Sequence, residues 1–234
     1  MSQARLDQVR RALAANVVFG ALAPDEIEAL IAYGTTARYA SAVTIFEKGS
    51  PGDSMMVVLS GRVRISNVLP HGKEAILNTL EPGDVLGEIA LLDGKPRSAD
   101  AIAIEPCELF VLRRRELTPF LEAHPAVTLR LVELLCERLR RLTDILEEVM
   151  FLNAVPRIAR FLLRFAEEHG TRRGGAVSLG LRVRQGEVGS HVGLSRESVN
   201  RVLQHFRENG VVEIDQGCIT IRDQDRLRAT ARGD

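Results

Sequence analysis

Cysteine and long apolar runs are both scarce in this 234-residue sequence, and each scarcity argues against a class of protein. Cys107, Cys136 and Cys218 lie far apart and form no CxxC pair. This argues against a disulfide framework, a zinc knuckle or an iron–sulfur cluster, and no metal is expected. No run approaches the ~20 apolar residues of a membrane span, and the N-terminus opens on an amphipathic stretch rather than an apolar signal-peptide core. A cytoplasmic protein without a membrane partner is therefore expected.

Catalytic fingerprints are missing as well. The sequence contains no GxSxG, Walker A, HExxH or dinucleotide-binding GxGxxG pattern. Its composition, 45% apolar and 26% charged, is that of an ordinary globular protein with one large or two small domains. An enzyme is therefore not predicted.

The charge is balanced overall but unevenly divided along the chain. Residues 1–153 carry 17 basic and 21 acidic side chains, a net charge of −4, whereas residues 154–234 carry 14 and 10, a net +4. A basic C-terminal part suggests an anionic partner such as nucleic acid, although a solvated surface would explain the same surplus.

The apolar pattern changes its period twice. Residues 6–33 have helical spacing, with Pro24 placed where a first turn would begin. Between about residues 37 and 112, short apolar runs alternate with turn residues roughly every ten positions, which is typical of an all-β barrel or sandwich. The turn glycines of this region are Gly49, Gly52, Gly61, Gly83 and Gly94.

A long helix is predicted from Ala126 to Met150, which would span about 37 Å. Its apolar stripe consists of Leu131, Leu135, Leu139, Leu142, Ile145, Leu146, Val149 and Leu152. The stripe lasts about three heptads, which favours a coiled-coil dimer seam over a helix packed along its own barrel. Asn153 is the expected N-cap of the next helix, and residues 168–175 are expected to form a loop.

A first segment, from Gly87 to Ala99, contains residues suited to binding a ligand. Gly87 allows close backbone approach, and the following apolar run can make a short helical turn whose free N–H groups favour an anion. Arg97 offers a donor fork suited to phosphate, Ser98 adds a hydroxyl, and Glu88 is an acceptor for a ribose hydroxyl. The apolar residues Ile89 and Ala90 continue the same turn.

A second segment, from Arg184 to Leu203, predicts a helix-turn-helix. A short helix with Val188 and Val192 turned inward ends at Gly193, and Ser195 caps the next helix. Residues 211–214 and 218–221 then predict a β-hairpin wing. The polar residues expected on the outer face of the second helix are Arg196, Glu197, Asn200, Arg201 and Gln204.

Both segments resemble the cyclic-AMP receptor protein/FNR family of bacterial transcription regulators, from about Val17 to Ile221. The first, with nine positions from Glu88 to Arg97, resembles the family's phosphate-binding cassette. The resemblance implies that Arg97 and Ser98 bind the cyclic phosphate and Glu88 the ribose 2′-hydroxyl. The ligand-binding residues that it implies are Gly87, Glu88, Ile89, Ala90, Arg97, Ser98, Ala99, Leu142 and Thr143.

The residues expected to contact the nucleobase do not decide which effector binds. The resemblance assigns these contacts to Leu142 and Thr143; Thr143 keeps a hydroxyl, while Leu142 falls on the predicted dimer seam. Cyclic AMP is expected before cyclic GMP, and both fit a cassette serine. The N-terminal cysteine cluster of the oxygen-sensing branch is absent, and residues 83–99 hold neither the Cys nor the His that the haem-sensing branch needs.

The second segment resembles the family's recognition helix, which implies a homodimer on two-fold-symmetric operator DNA, with RNA polymerase as a further partner. By this resemblance Arg196, Glu197 and Arg201 read a half-site of the TGTGA kind. Arg suits guanine and Glu suits cytosine in the major groove. The DNA-binding residues that it implies are Arg184, Gln185, Ser195, Arg196, Glu197, Ser198, Asn200 and Arg201.

The expected fold is therefore α+β: a cyclic-nucleotide-binding β-roll over residues 1–125, a dimerisation helix and hinge over 126–152, and a winged helix-turn-helix over 153–234. Two alternatives stay open. One is a regulator of the same fold that is constitutive or senses another effector. The other is a cyclic-nucleotide-binding regulatory module that does not bind DNA. The predicted helix-turn-helix argues against this second alternative.

Overall fold

The computed structural model describes residues 3–68, 74–182, 185–215 and 218–233. Within them, tertiary contacts separate two compact units. The first is formed by residues 3–68 and 76–139, and the second by residues 74–75, 140–182, 185–215 and 218–233. The division falls inside one continuous helix, between Leu139 and Arg140.

The first unit combines helices at both ends with two antiparallel sheets. Its elements are α1 (Gln3–Ala15), α2 (Pro24–Tyr33), β1 (Thr35–Tyr39), β2 (Thr44–Phe46), β3 (Ser54–Ser60), β4 (Val63–Val68), β5 (Glu74–Leu80), β6 (Val85–Leu86), α3 (Glu88–Asp93), β7 (Asp100–Ala103), β8 (Cys107–Arg113), α4 (Arg114–Ala123) and the first half of α5 (Pro125–Phe151). The strand orders are β1-β8-β3-β6 and β2-β7-β4-β5. The predicted β-rich region is thereby confirmed.

Strand β3 packs against a different apolar cluster on each of its faces. Met55, Val57 and Leu59 join the buried side chains of α1, α2 and α4. Met56 and Val58 join a second cluster, which also contains residues of β4, β7 and β8. Successive side chains of a strand point to opposite faces, so the unbroken apolar run 55–59 of β3 can contribute to two cores at once.

The α2–β1 connection comes very close to an aromatic ring. A Cβ atom at Gly34 would lie 2.0 Å from Cζ of Phe110, whose side chain is fully buried. The φ angle of Gly34 is −101°, which any residue can adopt. Glycine is therefore required at this position for space and not for its backbone conformation.

The N-terminal helical region is interrupted, although its spacing predicted helix throughout residues 6–33. The buried side chain of Asn16 accepts hydrogen bonds from the backbone N–H groups of Val18 at 2.8 Å and Phe19 at 3.1 Å. These bonds offer the backbone an alternative to the helix, so α1 ends at Ala15. As predicted, Pro24 begins the next helix.

Helix α5 runs one residue beyond the prediction at each end, but its apolar residues lie on two faces. Leu131 is 1% exposed in the core of the first unit. In contrast, the side chains of an adjacent row are exposed: Leu129, Val132, Leu139, Leu142, Leu146 and Met150. The predicted stripe therefore mixed core residues with surface residues. Of its other members, Leu135, Ile145 and Leu152 are half-buried, and the side chain of Val149 lies outside the described part of the chain.

The second unit packs helices on a four-stranded antiparallel sheet. Its elements after α5 are α6 (Ala154–His169), β9 (Thr171–Arg173), β10 (Ala176–Arg182), α7 (Gln185–Val192), α8 (Arg196–Glu208), β11 (Val212–Asp215), β12 (Cys218–Ile221) and α9 (Gln224–Arg232). The strand order is β11-β12-β10-β9.

The predicted loop over residues 168–175 is wrong in part. Helix α6 continues to His169, and β9 pairs with β10. Gly174 and Gly175, with φ of 52° and 85°, form the tight turn that joins the two strands. Composition indicated the turn but not the short strand before it, because pairing with β10 is what makes these residues extended.

The helix-turn-helix core matches the prediction. Val188 and Val192 of α7 are buried together with the inner face of α8, which consists of Val199, Val202, Leu203 and Phe206. Asn153 precedes α6 as predicted, but its side chain makes no capping bond. Within the described ranges, no helix is long and apolar enough to cross a membrane.

Candidate functional site

One cavity of the first unit brings together all seven ligand-binding residues predicted in the cassette. The cavity itself holds about 60 Å³, and about 380 Å³ when the open solvent at its mouth is included. The predicted residues that line it are Gly87, Glu88, Ile89, Ala90, Arg97, Ser98 and Ala99, and the residues that join them are Phe46, Ile65, Leu80, Leu86 and Arg138.

Gly87 shapes the floor of this cavity. It precedes α3 in the left-handed conformation, with φ of 79°, and α3 starts at Glu88. A Cβ atom at Gly87 would lie 2.3 Å from Nη1 of Arg97. Glycine is needed here both for the backbone angle and for the approach of the guanidinium.

Arg97 is held on all sides although it is charged and only 5% exposed. Its backbone N–H donates to the carbonyl oxygen of Ser50 at 2.9 Å. In the side chain, Nη1 donates to the carbonyl oxygens of Ser54 at 2.7 Å and Gly87 at 2.9 Å, and Nη2 donates to Oγ of Ser54 at 3.0 Å. The guanidinium carbon lies 4.3 Å from the centre of the Phe46 ring.

The bonds to described residues leave two N–H groups of the Arg97 guanidinium over, one on Nε and one on Nη2. Its Nε is buried and has no acceptor among the residues that the structure describes. Burial lowers the pKa of the Arg97 guanidinium from its ordinary value, and the carboxylates of Asp53 and Glu88 act against that shift. A buried cation with an unused N–H group has the charge and the donor that an anion would need.

Glu88 is paired with an arginine that comes from the long helix. Its carboxylate is 1% exposed and accepts a hydrogen bond from Nη1 of Arg138, whose Nη2 donates to the carbonyl oxygen of Val85 at 2.5 Å. The pair fixes the Glu88 carboxylate at the cavity wall and joins α5 to the cassette within the first unit.

The outer face of α8 is polar and exposed. Oγ of Ser195 accepts from the backbone N–H of Ser198 at 3.2 Å, so Ser195 caps the helix as predicted. The exposed residues of this face are Arg196, Glu197, Asn200 and Arg201. Gln185 begins α7, although its side chain lies outside the described part, as does the whole of Arg184.

Comparisons with known proteins match two parts of the chain. A cyclic nucleotide-binding domain matches residues 36–124, and a Crp-like helix-turn-helix domain matches residues 156–230. The chain is 34% identical to the cyclic AMP receptor protein of Thermus thermophilus, covering 92% of this chain and 97% of that one. It is 31% identical to a CRP-like cAMP-activated global transcriptional regulator of Mycobacterium tuberculosis, covering 92% and 96%.

The chain belongs to the CRP/FNR family of transcription regulators. A solved structure with the same fold is that of a CooA variant from Carboxydothermus hydrogenoformans, with a TM-score of 0.76 and 23% identity over 87% of this chain and 90% of that one. The family is one of transcription regulators and not of enzymes, and the α+β architecture predicted from the sequence is confirmed.

In this CRP/FNR regulator, sequence reasoning missed Arg138, Ser54 and Phe46. Arg138 lies 50 residues from Glu88, among several other charged residues of α5. Ser54 opens a strand that is buried at nearly every position. Nothing local signals these three contacts, because each depends on how distant strands and helices come together.

The two predicted nucleobase residues of α5 do not line the cavity. Leu142 and Thr143 belong to the second unit, and both are exposed in the single chain. Their part in ligand binding stays a prediction. Within the described ranges, no cluster of three or more His, Cys, Asp or Glu side chains is placed to hold a metal ion.

Proposed function

We propose that this chain is a homodimeric DNA-binding regulator whose operator affinity is controlled by a cyclic nucleotide, cyclic AMP before cyclic GMP, bound in the cavity of the first unit. The observation that carries the proposal is the buried Arg97 with an unused Nε–H. As its family suggests, it would act in the cytoplasm with operator DNA and RNA polymerase as partners.

The donor count of Arg97 supports a phosphate ligand. A guanidinium has five N–H groups, and the bonds to Ser54 and Gly87 use three of them. Nε–H and one N–H of Nη2 are left, which is the number that a bidentate contact to two phosphate oxygens needs. The negative charge of a cyclic phosphate would also offset the burial of the cation.

The Glu88–Arg138 pair supports a ribose next to that phosphate. Because Arg138 bonds to Oε1 of Glu88, the carboxylate is held in place and keeps acceptor capacity for a hydroxyl donor. Ser98 is exposed beside the buried Arg97 and can add a hydroxyl contact at the mouth of the cavity. Ile89 and Ala90 supply apolar wall, and Ala99 supplies backbone.

Two arguments bear on which purine base the ligand carries. Two relatives with 31% and 34% identity carry cyclic AMP in their names. The family resemblance assigns base contacts to Leu142 and Thr143, and the hydroxyl of Thr143 can bond to either purine. Cyclic GMP, another effector or constitutive activity are the alternatives that a binding experiment distinguishes.

The exposed apolar row of α5 supports a second copy of this chain as its partner. Leu129, Val132, Leu139 and Leu146 are 49–65% exposed and follow one another at intervals of three or seven residues. With Cys136 and Thr143 included and Leu142 flanking it, the row reads 129, 132, 136, 139, 143, 146 and 150, the three-four spacing of a coiled-coil seam. A seam of this kind buries its apolar row against the same row of an identical helix.

The exposed polar face of α8 supports major-groove reading. Arg196, Glu197, Asn200 and Arg201 are exposed on the helix that Ser195 caps, and arginine pairs with guanine through two hydrogen bonds. We retain Arg184, Gln185, Ser195 and Ser198 as further contacts on the family resemblance. The proposed domains remain 1–125, 126–152 and 153–234.

Calorimetric titration of the full chain with cyclic AMP and cyclic GMP tests the ligand. Arg97→Lys keeps the charge but loses the fork, so we expect affinity to fall about 100-fold. Arg62→Lys is the matched control, because Arg62 pairs with Glu105 and does not line the cavity. Equal affinity of Arg97→Lys and the parent chain, or no binding of either nucleotide, would contradict the proposal.

A further inference from the structure

A buried arginine connects the start of α6 to the turn of the helix-turn-helix. Arg157 is 8% exposed and lies in the first turn of α6, where its backbone N–H is 3.4 Å from the carbonyl oxygen of Asn153. Its Nη2 donates a hydrogen bond to the carbonyl oxygen of Val192. Val192 is the last residue of α7.

This contact satisfies two groups that would otherwise be costly to bury. The last carbonyl groups of a helix have no partner within the helix and carry the negative end of its dipole. A buried guanidinium likewise needs an acceptor. Arg157 therefore caps the C-terminal end of α7 from a neighbouring helix.

The turn that follows leaves little freedom between this contact and α8. Gly193 adopts φ of 65°, and a Cβ atom there would lie 3.0 Å from Nη2 of Arg157. The backbone N–H of Leu194 donates to the carbonyl oxygen of Gly189 at 2.9 Å, and Ser195 then caps α8. Three residues from Val192 to Ser195 span at most about 10 Å, so the position of the Val192 carbonyl restricts the start of α8.

We propose that Arg157 is a positioning residue, which sets the N-terminal end of the recognition helix α8 relative to the start of α6. This inference rests on the proposed function, because it assigns Arg157 to the reading of DNA by α8. It also provides a route by which a change near Asn153 reaches Arg196: through Arg157 to the end of α7 and across the turn.

Arg160 is the matched control for Arg157. It lies three residues further along the same helix and donates from Nε to the carbonyl oxygen of Ala231 in α9, at 2.8 Å. Both arginines thus link α6 to a backbone carbonyl of another helix, but only Arg157 links it to the turn. Loss of general stability should be common to variants at both positions, whereas loss of positioning should be specific to Arg157.

The first experiment compares the selectivity of Arg157→Met, Arg157→Lys and Arg160→Met. Each full-length variant is titrated with a duplex that carries two inverted TGTGA half-sites and with a scrambled duplex of the same composition, with cyclic AMP present. For Arg157→Met we expect the ratio of the two affinities to fall about tenfold, with partial recovery in Arg157→Lys and less than a twofold change in Arg160→Met. Equal ratios for the two methionine variants would overturn the inference.

The second experiment does not depend on DNA. Hydrogen–deuterium exchange is measured at the backbone amides of Leu194 and Ser198, which donate to Gly189 and Ser195. We expect these amides to exchange about tenfold faster in Arg157→Met than in Arg160→Met, with β10 and β12 unchanged. Unchanged exchange at both amides would overturn the positioning role. A parent chain that does not distinguish the two duplexes would contradict the proposed function, and the exchange result would then decide the inference alone.

Discussion

Gly87 and Gly83 share a left-handed backbone but differ in what surrounds them. Their φ angles are 79° and 99°. A Cβ atom at Gly87 would meet Arg97, whereas a Cβ atom at Gly83 would have no neighbour within 4 Å. Alanine substitutions at the two positions therefore separate the cost of backbone strain at a turn from the cost of displacing the Arg97 guanidinium.

We expect Gly87→Ala to weaken cyclic AMP binding by tenfold or more and Gly83→Ala to leave it unchanged. Gly83→Ala should cost about 1 kcal/mol of unfolding free energy, since alanine at positive φ is strained, and Gly87→Ala should cost more, since its Cβ atom would also lie 2.9 Å from the carbonyl oxygen of Ser54. Isothermal titration and urea unfolding of the two variants measure the two quantities. If Gly83→Ala weakens binding as much as Gly87→Ala does, contact with Arg97 is not the cause.

Cys107 and Cys136 should differ sharply in reactivity. Cys107 is 4% exposed, and burial raises the pKa of its thiol above the ordinary value. Because the thiolate is the reactive form, Cys107 should stay unmodified by iodoacetamide at pH 8, while Cys136, which is exposed in the single chain, should react in the Leu139→Glu variant, whose proposed seam is opened. A higher pH should increase modification of Cys107, as should unfolding. Peptide mass spectrometry measures both sites, and equal rates in the folded protein would contradict the expectation.

At the scale of elements, α5 has two apolar faces with different tasks. Leu131 is 1% exposed and belongs to the core of the first unit, whereas Leu139 is 65% exposed in the single chain. Substitutions at the two positions should therefore affect different properties, which separates folding from association.

We expect Leu139→Glu to shift a dimer towards monomers with little loss of fold, since a charge in an apolar seam opposes association. Leu131→Ala should instead cost about 2–5 kcal/mol of unfolding free energy. Sedimentation at several protein concentrations measures association, with Arg140→Glu, an exposed change on the next residue, as the control. A Leu139→Glu variant that stays as dimeric as the parent would contradict the proposed seam.

Helix α8 presents arginines at both ends. Arg196 lies in its first turn and Arg207 in its last turn, and both are exposed. Base reading belongs to the N-terminal part of a recognition helix. Replacing the arginine at each end of α8 with alanine should therefore have different effects on operator discrimination.

We expect Arg196→Ala to relax discrimination at one guanine of each half-site by about 1–3 kcal/mol. Arg207→Ala should leave discrimination unchanged. Competition binding with operators changed at one base pair at a time measures this. Weakening of all operators alike by Arg196→Ala would assign Arg196 to the phosphate backbone instead.

The pattern of neighbouring residues was sufficient to predict those elements that depend on short-range periodicity. The spacing of apolar residues predicted α5, α7 and α8, and the turn glycines predicted the turns of the β-roll. Both signals depend only on residues that are close together in the sequence. The break after Ala15 and strand β9 were not predicted. Their causes are two hydrogen bonds to the Asn16 side chain and pairing with β10, which compete with local propensity.

At the scale of the whole molecule, a ligand can act on DNA affinity only if it binds the DNA-competent state more tightly. We therefore expect saturating cyclic AMP to raise operator affinity by about 5–150-fold, and operator to raise cyclic AMP affinity by the same factor. Titrations in both directions test this equality. Equal operator affinity with and without cyclic AMP or cyclic GMP would contradict gating by these nucleotides.

Thr143→Val should reduce that coupling more than it weakens the dimer, with Thr128→Val as the control on the same helix. Thr128 donates to the carbonyl oxygen of Leu121 at 2.9 Å, within the first unit. Coupling factors and dimer dissociation constants of the two variants decide the point. Unchanged coupling in Thr143→Val would remove this residue from the proposed ligand contacts.

The cassette illustrates how much of a site the sequence can reveal. Its seven cavity residues follow from a contiguous segment, since each contributes through its place in one turn. The partners that hold it come from elsewhere: Ser54 from β3, Phe46 from β2 and Arg138 from α5. No local rule pairs residues 43 or 50 positions apart, so these contacts required the structure.

Over evolutionary time, Gly34 and Phe110 should constrain each other's substitutions. The ring of Phe110 occupies the space that a side chain at position 34 would need, so a larger residue at one position is tolerable only with a smaller residue at the other. In an alignment of many descendants of this chain, we expect the two positions to covary. Lineages that lose Gly34 should carry a smaller residue in place of Phe110.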